Sequence, residues 1–197
     1  MEILQRATAV LEAEAAAIKG VKLGPEFINA INAMRQCDGN VLTTGMGKAG
    51  HIARKFAATL CSTGTPAIYV HPGEAAHGDL GVVGASDCMV AFSTSGKTRE
   101  VLEMIKLGRQ LGLETVIGIT SHLDSELRVL SDVVVDMGDI EEPCPIGLTP
   151  SSSIAVMLAI SDALALVLLE QNNFQAADFG RRHHGGYLGE KSRPDED

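Results

Sequence analysis

Apolar and polar positions along this chain follow two alternating patterns. Amphipathic or Ala- and Glu-rich stretches with a helical period are separated by short runs that are apolar at almost every position. Such short apolar runs are typical of strands covered on both faces, as in a parallel sheet. The predicted strands are Val41–Thr44, Ala67–Val70, Cys88–Ser93, Thr115–Thr120 and Val133–Asp136.

The segments around these runs predict helices. Pro25 suits the first position of a helix, where its missing N–H costs no hydrogen bond. The predicted helices are Gln5–Lys19, Pro25–Gln36, Ile52–Ser62, Val101–Leu111, Ser125–Leu130 and a long helix from Ser151. Helices that alternate with buried strands predict the α/β class, with a parallel sheet covered by helices on both faces.

The most apolar window, Ile154–Leu169, is short for a membrane span and is interrupted by Ser161 and Asp162. It predicts a buried helix in the core or at a subunit interface. The first residues lack the pattern of a signal peptide, and the charged segment Glu190–Asp197 is expected to fray. We therefore expect a soluble, cytoplasmic protein with no membrane partner.

Composition narrows the possible ligands. The chain has 197 residues, enough for one domain with a substantial core, and a formal net charge of −9, which disfavours nucleic acid as a partner. The four cysteines contain no CxxC pair, which predicts reduced, packed thiols rather than a disulfide framework. Because the overall field of so acidic a chain repels anions, an anionic ligand would have to be bound by hydrogen-bond donors close to it.

The stretch Ser93–Thr98 provides such donors. It follows an apolar strand and precedes an amphipathic helix, so hydroxyls and backbone N–H groups converge at a helix N-terminus that suits a phosphate. Glu100 stands two residues after Thr98; it is either an acid favourably placed in the first helical turn or a group with a chemical role. Ala91 stands where a Walker A loop requires glycine, which excludes that motif.

Three further segments carry candidate chemistry. The segment Gly45–Gly50 matches the GxGxxG pattern, so a dinucleotide enzyme remains an alternative. The segment His71–Gly81 contains two His and two carboxylates, which fit either a surface loop with capped turns or a reactive site. Its spacing matches no standard zinc motif, and no metal is expected. Arg181–Gly189 concentrates two adjacent His and several Gly.

Several strings together resemble the D-arabinose 5-phosphate isomerases of the sugar isomerase (SIS) domain superfamily. They are GMGKAGHIARK, STGTP, HPGEAAHGDLG, SxSGxxxE, CPIGLTPSSS, DALALVLL and HHGGYLG, in chain order. The resemblance implies a three-layer α/β/α sandwich around a five-stranded parallel sheet, in one domain. Its parts would be N-terminal helices (1–38), an α/β core (39–180) and a tail (181–197).

The resemblance also implies an activity and an assembly. The expected reaction interconverts D-ribulose 5-phosphate and D-arabinose 5-phosphate, which feeds the Kdo sugar of lipopolysaccharide or capsule. The expected assembly is a homotetramer with sites at subunit boundaries. No cofactor is implied, and the pair of CBS domains that many members carry is not expected here.

The family's site residues carry over position by position. The implied catalytic residues are Lys48, His77, Glu100 and His183. The implied substrate-binding residues are Gly47, Ala49, Ser93, Thr94 (through its backbone), Ser95, Thr98, Thr149, Ser151, Ser152 and His184. Three positions depart from the family pattern: Ala49 is often Ser, Lys97 is often Glu, and His184 stands where Pro is usual, so that either His183 or His184 could act.

An aldose–ketose isomerisation fits these residue types, because it moves a proton between C1 and C2 through an enediolate. Our hypothesis is that Glu100 or His183 takes the carbon proton and His77 assists at oxygen. Lys48 would neutralise the phosphate or the enediolate. Besides the dinucleotide enzyme, two alternatives remain: another SIS isomerase, acting on sedoheptulose 7-phosphate or a hexulose phosphate, and a non-catalytic module that senses a sugar phosphate.

Overall fold

The computed structural model describes residues 2–192. Its centre is a five-stranded sheet in which every neighbouring pair of strands is parallel. The strands are β1 (Val41–Gly45), β2 (Ala67–Tyr69), β3 (Cys88–Phe92), β4 (Thr115–Thr120) and β5 (Val133–Asp136). Their order in the sheet is β2-β1-β3-β4-β5. All five predicted strands are present, within a residue or two of the predicted ends.

Helices connect the strands and extend both ends of the chain. They are α1 (Ile3–Gly20), α2 (Pro25–Arg35), α3 (Gly47–Ser62), α4 (Pro72–Ala75), α5 (Arg99–Gln110), α6 (Glu126–Leu130), α7 (Ser152–Gln171), α8 (Ala176–Arg182) and α9 (Gly186–Lys191). A 3₁₀ helix covers Asp79–Val82.

The sheet separates two apolar clusters, because successive strand residues point to opposite faces. Cys88, Val90 and Phe92 of β3 belong to the cluster shared with α2, α3 and α7. Met89 and Ala91 of the same strand belong to the cluster shared with α4, α5 and α6. The predicted three-layer α/β/α arrangement is confirmed, and its strands are apolar on both sides because both sides are covered.

Helix α7 carries the most apolar window of the chain. By length and composition it could cross a membrane, but half of its 18-residue window is buried inside the protein. Its buried side chains, among them Val156, Ile160 and Leu164, pack in the cluster with α2 and α3. This matches the predicted core helix.

The structure differs from the predicted elements in three places. Helix α3 already begins at Gly47, so the glycine-rich segment after β1 is its first turn rather than a loop. The predicted loop His71–Leu80 contains α4 and the start of the 3₁₀ helix, since Pro72 can open a short helix. Helices α8 and α9 occupy most of residues 176–191, which the sequence pattern left without an element. Of the segment expected to fray, residues 193–197 lie outside the described residues.

Candidate active site

The segment Ser93–Thr98 forms a compact turn between β3 and α5, which we call the hydroxyl cradle. The Oγ of Ser93 lies 2.8 Å from the Oγ1 of Thr98 and accepts a hydrogen bond from the backbone N–H of Gly96 (3.1 Å). The backbone N–H of Lys97 donates to the Oγ of Ser95 (3.2 Å). Hydroxyls therefore surround the N-terminus of α5, where the helix dipole favours an anion.

Gly96 is required for the shape of this turn. Its φ is +61°, a conformation that favours glycine. A Cβ at Gly96 would lie 2.3 Å from the Oγ of Ser125 and 2.9 Å from the Oγ1 of Thr120. The turn thus packs directly against the end of β4 and the start of α6, which fixes its position.

The carbonyl oxygen of Thr94 joins the hydroxyl cradle to the segment after β4. It accepts hydrogen bonds from the Oγ1 of Thr120 (3.1 Å) and the backbone N–H of Ser121 (3.0 Å). The Nδ1 of His122 lies 3.2 Å from the same oxygen. Three donors at one carbonyl hold the turn in place.

A cavity of about 320 Å³ opens over the hydroxyl cradle, and we call it the cradle cavity. Its lining residues come from the ends of β1, β3 and β4 and from the start of α7. They are Met46, Lys48, Ala49, Ser93, Thr94, Ser95, Thr98, His122, Pro150 and Ile154. The structure therefore brings Lys48 and Ala49 together with the four predicted phosphate-binding residues. Gly47 precedes them in the first turn of α3 and is exposed.

The turn that carries Lys48 packs tightly against its neighbours. The hydroxyl of Tyr69 donates to the carbonyl oxygen of Gly45 (3.2 Å), and the guanidinium of Arg54 lies 4.8 Å from the centre of the Tyr69 ring. A Cβ at Gly50 would lie 2.5 Å from the Gly45 oxygen. Only glycine at position 50 allows this approach of α3 to the end of β1.

Two predicted catalytic residues are near the carboxyl edge of the sheet but do not line the cradle cavity. Glu100 lies half-buried in the first turn of α5. His77 is exposed between α4 and the 3₁₀ helix, where its backbone N–H donates to the carbonyl of Glu74 (2.8 Å). The two side chains therefore stand outside the cavity that Lys48 shares with the hydroxyls.

His183 lies elsewhere in the fold. It ends α8, where its ring stacks on Phe179 with 3.7 Å between ring centres and its Nδ1 lies 3.0 Å from the Phe179 carbonyl. Arg182 lies over the ring of Phe174, which in turn packs beside Gly64 after the end of α3. Gly64 precedes β2, so this is the amino edge of the sheet, opposite the carboxyl edge that carries the hydroxyl cradle. His184 follows it, exposed. A single chain therefore does not bring the predicted catalytic group together.

The segment before α7 is held by a carboxylate that the sequence did not point to. Glu142 accepts hydrogen bonds from the backbone N–H groups of Ser151 (2.8 Å), Ser152 (2.9 Å) and Ser153 (3.2 Å). Burial raises the pKa of Glu142, but these bonds and one from the Ser153 side chain outweigh it, so the net pKa is lowered. Thr149 is exposed, whereas Ser152 is fully buried.

A larger cavity of about 730 Å³ adjoins the cradle cavity, with Thr94 and His122 lining both. Lys97 lines the larger cavity and not the cradle cavity. Its other lining residues include four carboxylates, which are Asp124, Asp136, Asp139 and Glu142. His122 was missed by sequence reasoning; its position directly after a predicted strand was the available signal.

Among the described residues, no group of three or more His, Cys, Asp or Glu side chains is arranged to hold a metal ion. The cysteines are free thiols. Cys144 lies in the segment before α7, where its Sγ accepts hydrogen bonds from the backbone N–H groups of Leu148 and Thr149, both at 3.2 Å. These bonds, that from Thr149 above all, lower the pKa of Cys144 to about 7.

A turn of hydroxyls and N–H groups at a helix N-terminus, at the carboxyl edge of a parallel sheet, is an arrangement of an α/β domain that suits an anionic ligand. Residues 33–167 match the family model of the SIS domain. The chain belongs to the SIS domain family.

Curated relatives make the family relationship more specific. The chain is 42% identical over 170 residues to the arabinose 5-phosphate isomerase KdsD of Pseudomonas aeruginosa, and 44% identical over 169 residues to that of Escherichia coli. Both alignments cover 86% of this chain but only 52% and 51% of the relatives. The chain thus spans about half the length of the curated relatives it matches.

Solved structures match the chain over nearly its whole length. A phosphosugar isomerase involved in capsule formation from Bacteroides fragilis superposes with a TM-score of 0.90 at 38% identity, covering 94% of this chain and 100% of that chain. A protein of Escherichia coli in complex with arabinose 5-phosphate superposes with a TM-score of 0.88 at 38% identity, covering 93% of this chain and 100% of that chain. The resemblance inferred from the motifs is confirmed at the level of the family.

Proposed function

We propose that this protein is a phosphosugar isomerase that interconverts D-ribulose 5-phosphate and D-arabinose 5-phosphate. The observation that carries the proposal is the cradle cavity, in which Lys48 faces the same space as the hydroxyls of Ser93, Ser95 and Thr98. The similarity to proteins named arabinose 5-phosphate isomerase, and to a structure in complex with that sugar phosphate, supports the choice of substrate.

In the proposed reaction, the hydroxyl cradle and the N-terminus of α5 bind the phosphate. A base, Glu100 or His183, removes the C1 proton of ribulose 5-phosphate, and electrons move onto the C2 oxygen to give the enediolate. A proton, the same one or one from solvent, returns to C2, while His77 moves the proton of O1 to the C2 oxygen, so that C1 becomes the aldehyde carbonyl and C2 carries a neutral hydroxyl. Lys48 stabilises the negative charge that develops on oxygen.

We propose that the site is completed by a second copy of the chain in a homotetramer. His183 of one chain lies at the opposite edge of the sheet from its own hydroxyl cradle, which supports a His183 supplied by another subunit. Exposed apolar side chains on α1, among them Ile3, Leu4 and Leu11, offer surface for such an assembly.

The proposal includes the metabolic pathway of the protein, its location in the cell and its domain organisation. Arabinose 5-phosphate made here would enter Kdo synthesis for lipopolysaccharide or capsule, in the cytoplasm. Residues 1–197 would act as a single SIS domain that needs no cofactor and no nucleic acid.

The test is incubation with D-ribulose 5-phosphate in D₂O, followed by NMR. Formation of arabinose 5-phosphate with deuterium at C2 is the expected result, because the enediolate is protonated there from solvent. Tight binding of the sugar phosphate with no turnover would contradict the isomerase proposal and favour a non-catalytic module that senses a sugar phosphate. Turnover of sedoheptulose 7-phosphate or a hexulose phosphate instead would identify another isomerase of the same family.

A further inference from the structure

We propose that His122 is a substrate-binding residue, whose imidazole completes the phosphate site from the side of β4. The inference deepens the proposed function and rests on it for the class of ligand, a sugar phosphate. His122 was not among the residues that the family resemblance assigned to the site.

The hydrogen bonds of His122 determine which ring nitrogen can reach a ligand. Its Nδ1 lies 3.2 Å from the carbonyl oxygen of Thr94, and a carbonyl oxygen only accepts. Nδ1 therefore carries a proton and donates it in a hydrogen bond to the Thr94 carbonyl of the hydroxyl cradle. Nε2 is left as the ring nitrogen that can contact a molecule in the cavity.

The backbone of His122 is fixed although its ring is exposed. The Nε of Arg128 donates to the His122 carbonyl (2.7 Å), and the Nη2 of Arg128 lies 2.9 Å from a carboxylate oxygen of Asp136. Together with the Nδ1 contact, these interactions anchor the residue from two sides. An anchored side chain loses less conformational entropy when it binds a ligand.

The charges in the cradle cavity favour a role in anion binding. Of the described residues that line it, only Lys48 and His122 can carry positive charge, and none is a carboxylate. Lys97, the cation within the hydroxyl cradle segment, lines the larger cavity, where Asp124 and Asp139 accompany it. As the imidazolium, in which both ring nitrogens carry a proton, His122 would present an Nε2–H donor to a dianionic phosphate held by the hydroxyls.

The substitution His122→Asn tests this role, because an asparagine amide can still donate to the Thr94 carbonyl but has no atom in the place of Nε2. We expect the KM for ribulose 5-phosphate and the inhibition constant of inorganic phosphate both to rise about tenfold, with kcat changed less than threefold. His51→Asn is the matched control: His51 is exposed on α3 and lines neither cavity, so phosphate affinity should stay unchanged.

An unchanged inhibition constant for phosphate in a folded His122→Asn variant would overturn the inference. His122→Phe provides a second variant, in which both nitrogens are lost and phosphate affinity should fall at least as far. Phosphate binding is measured by calorimetry without turnover. The two proposals therefore fail separately: an inactive wild type that still loses phosphate affinity on His122→Asn contradicts only the proposed reaction.

Discussion

The Oε2 of Glu142 lies 2.9 Å from the backbone nitrogen of Ser152, at the first residue of α7. The same carboxylate binds the N–H groups of Ser151 and Ser153. The first N–H groups of a helix have no hydrogen-bond acceptor within the helix. Glu142, which lies outside α7, accepts hydrogen bonds from such groups at the N-terminus of α7. Because Pro150 and Ile154 line the cradle cavity, this contact also holds one wall of the site.

Replacing Glu142 by Gln should lower the free energy of unfolding by about 1–2 kcal/mol at neutral pH, as for the loss of a strong helix cap. The folded pKa of Glu142 is lowered from its usual 4.5, so the stabilisation is present above that value. It is lost as the pH falls through the lower folded pKa. The free energies of unfolding of the wild type and Glu142→Gln, measured by urea denaturation, should therefore differ at pH 7 and become equal in acid.

Glu141→Gln is the matched control, since Glu141 is the exposed neighbour of Glu142. It should unfold like the wild type across the same range of pH. A difference between wild type and Glu142→Gln that stays constant from pH 7 into acid would contradict the role of the charged carboxylate.

Glu100→Gln should lower kcat by about 10²–10⁴-fold, the range for loss of a general acid–base group. KM should change little, because the hydroxyl cradle, which is the proposed phosphate site, is intact. Glu103→Gln, an exposed carboxylate on the same helix, should retain wild-type rates. Steady-state kinetics with ribulose 5-phosphate measures both, and wild-type kcat in Glu100→Gln would exclude it as the base.

Mixing two inactive variants tests whether sites are shared between chains. If His183 of one chain serves the cradle of another, co-expressed Glu100→Gln and His183→Ala chains should form hybrid oligomers with some intact sites. Random assembly would restore about a quarter of the sites, each built from two unmodified surfaces. Activity of purified, differently tagged hybrids is the measurement.

Hybrid oligomers without activity would show that His183 and Glu100 do not act from different chains. The homogeneous variants, purified in the same way, give the background rate. Native mass spectrometry of the hybrids reports the number of chains in each oligomer.

Gly50→Ala should displace the turn that carries Lys48, because the new Cβ would lie 2.5 Å from the Gly45 oxygen and 3.0 Å from the Tyr69 hydroxyl. Backbone cannot yield as a flexible side chain can, so we expect a loss of about 1–3 kcal/mol in unfolding free energy and a lower kcat. Gly20→Ala is the control, since no neighbouring atom lies within 4 Å of its Cβ position and Gly20 is the last residue of α1, where alanine is well tolerated. Thermal unfolding and kinetics of the two variants decide the prediction; equal melting temperatures would contradict it.

Cys144 should be the thiol that iodoacetamide modifies with half-maximal rate near pH 7, because hydrogen bonds from the segment Ile146–Thr149 lower its pKa to about 7. Burial raises the pKa of Cys88 to about 12, so Cys88 should remain unmodified in the folded protein. Peptide mapping by mass spectrometry after short reaction times gives the rate at each thiol. A rate at Cys144 that is still rising steeply above pH 9 would contradict the lowered pKa.

The larger part of the fold was predictable from the sequence. Short runs that are apolar on both faces predict buried parallel strands, since a buried helix with the same pattern is longer, as α7 is, and Gly, Pro and hydroxyl residues mark the ends of the strands. The missed helices α4, α8 and α9 are all short, and α8 and α9 also lack an apolar period. The N-terminus of α3 was missed because glycines in its first turn look like a loop.

The candidate site, like the fold, could be predicted only in part from the sequence. The sequence determined the hydroxyl cradle, because Ser93–Thr98 directly follows a strand and all residues of the turn are neighbours in the chain; its phosphate ligand stays a prediction. Only the tertiary structure decided which distant residues join it. It placed Lys48 and His122 over the cradle and Lys97 in the larger cavity. It also put His183 at the opposite edge of the sheet, since a rigid helix of 20 residues, α7, carries the chain away from the site.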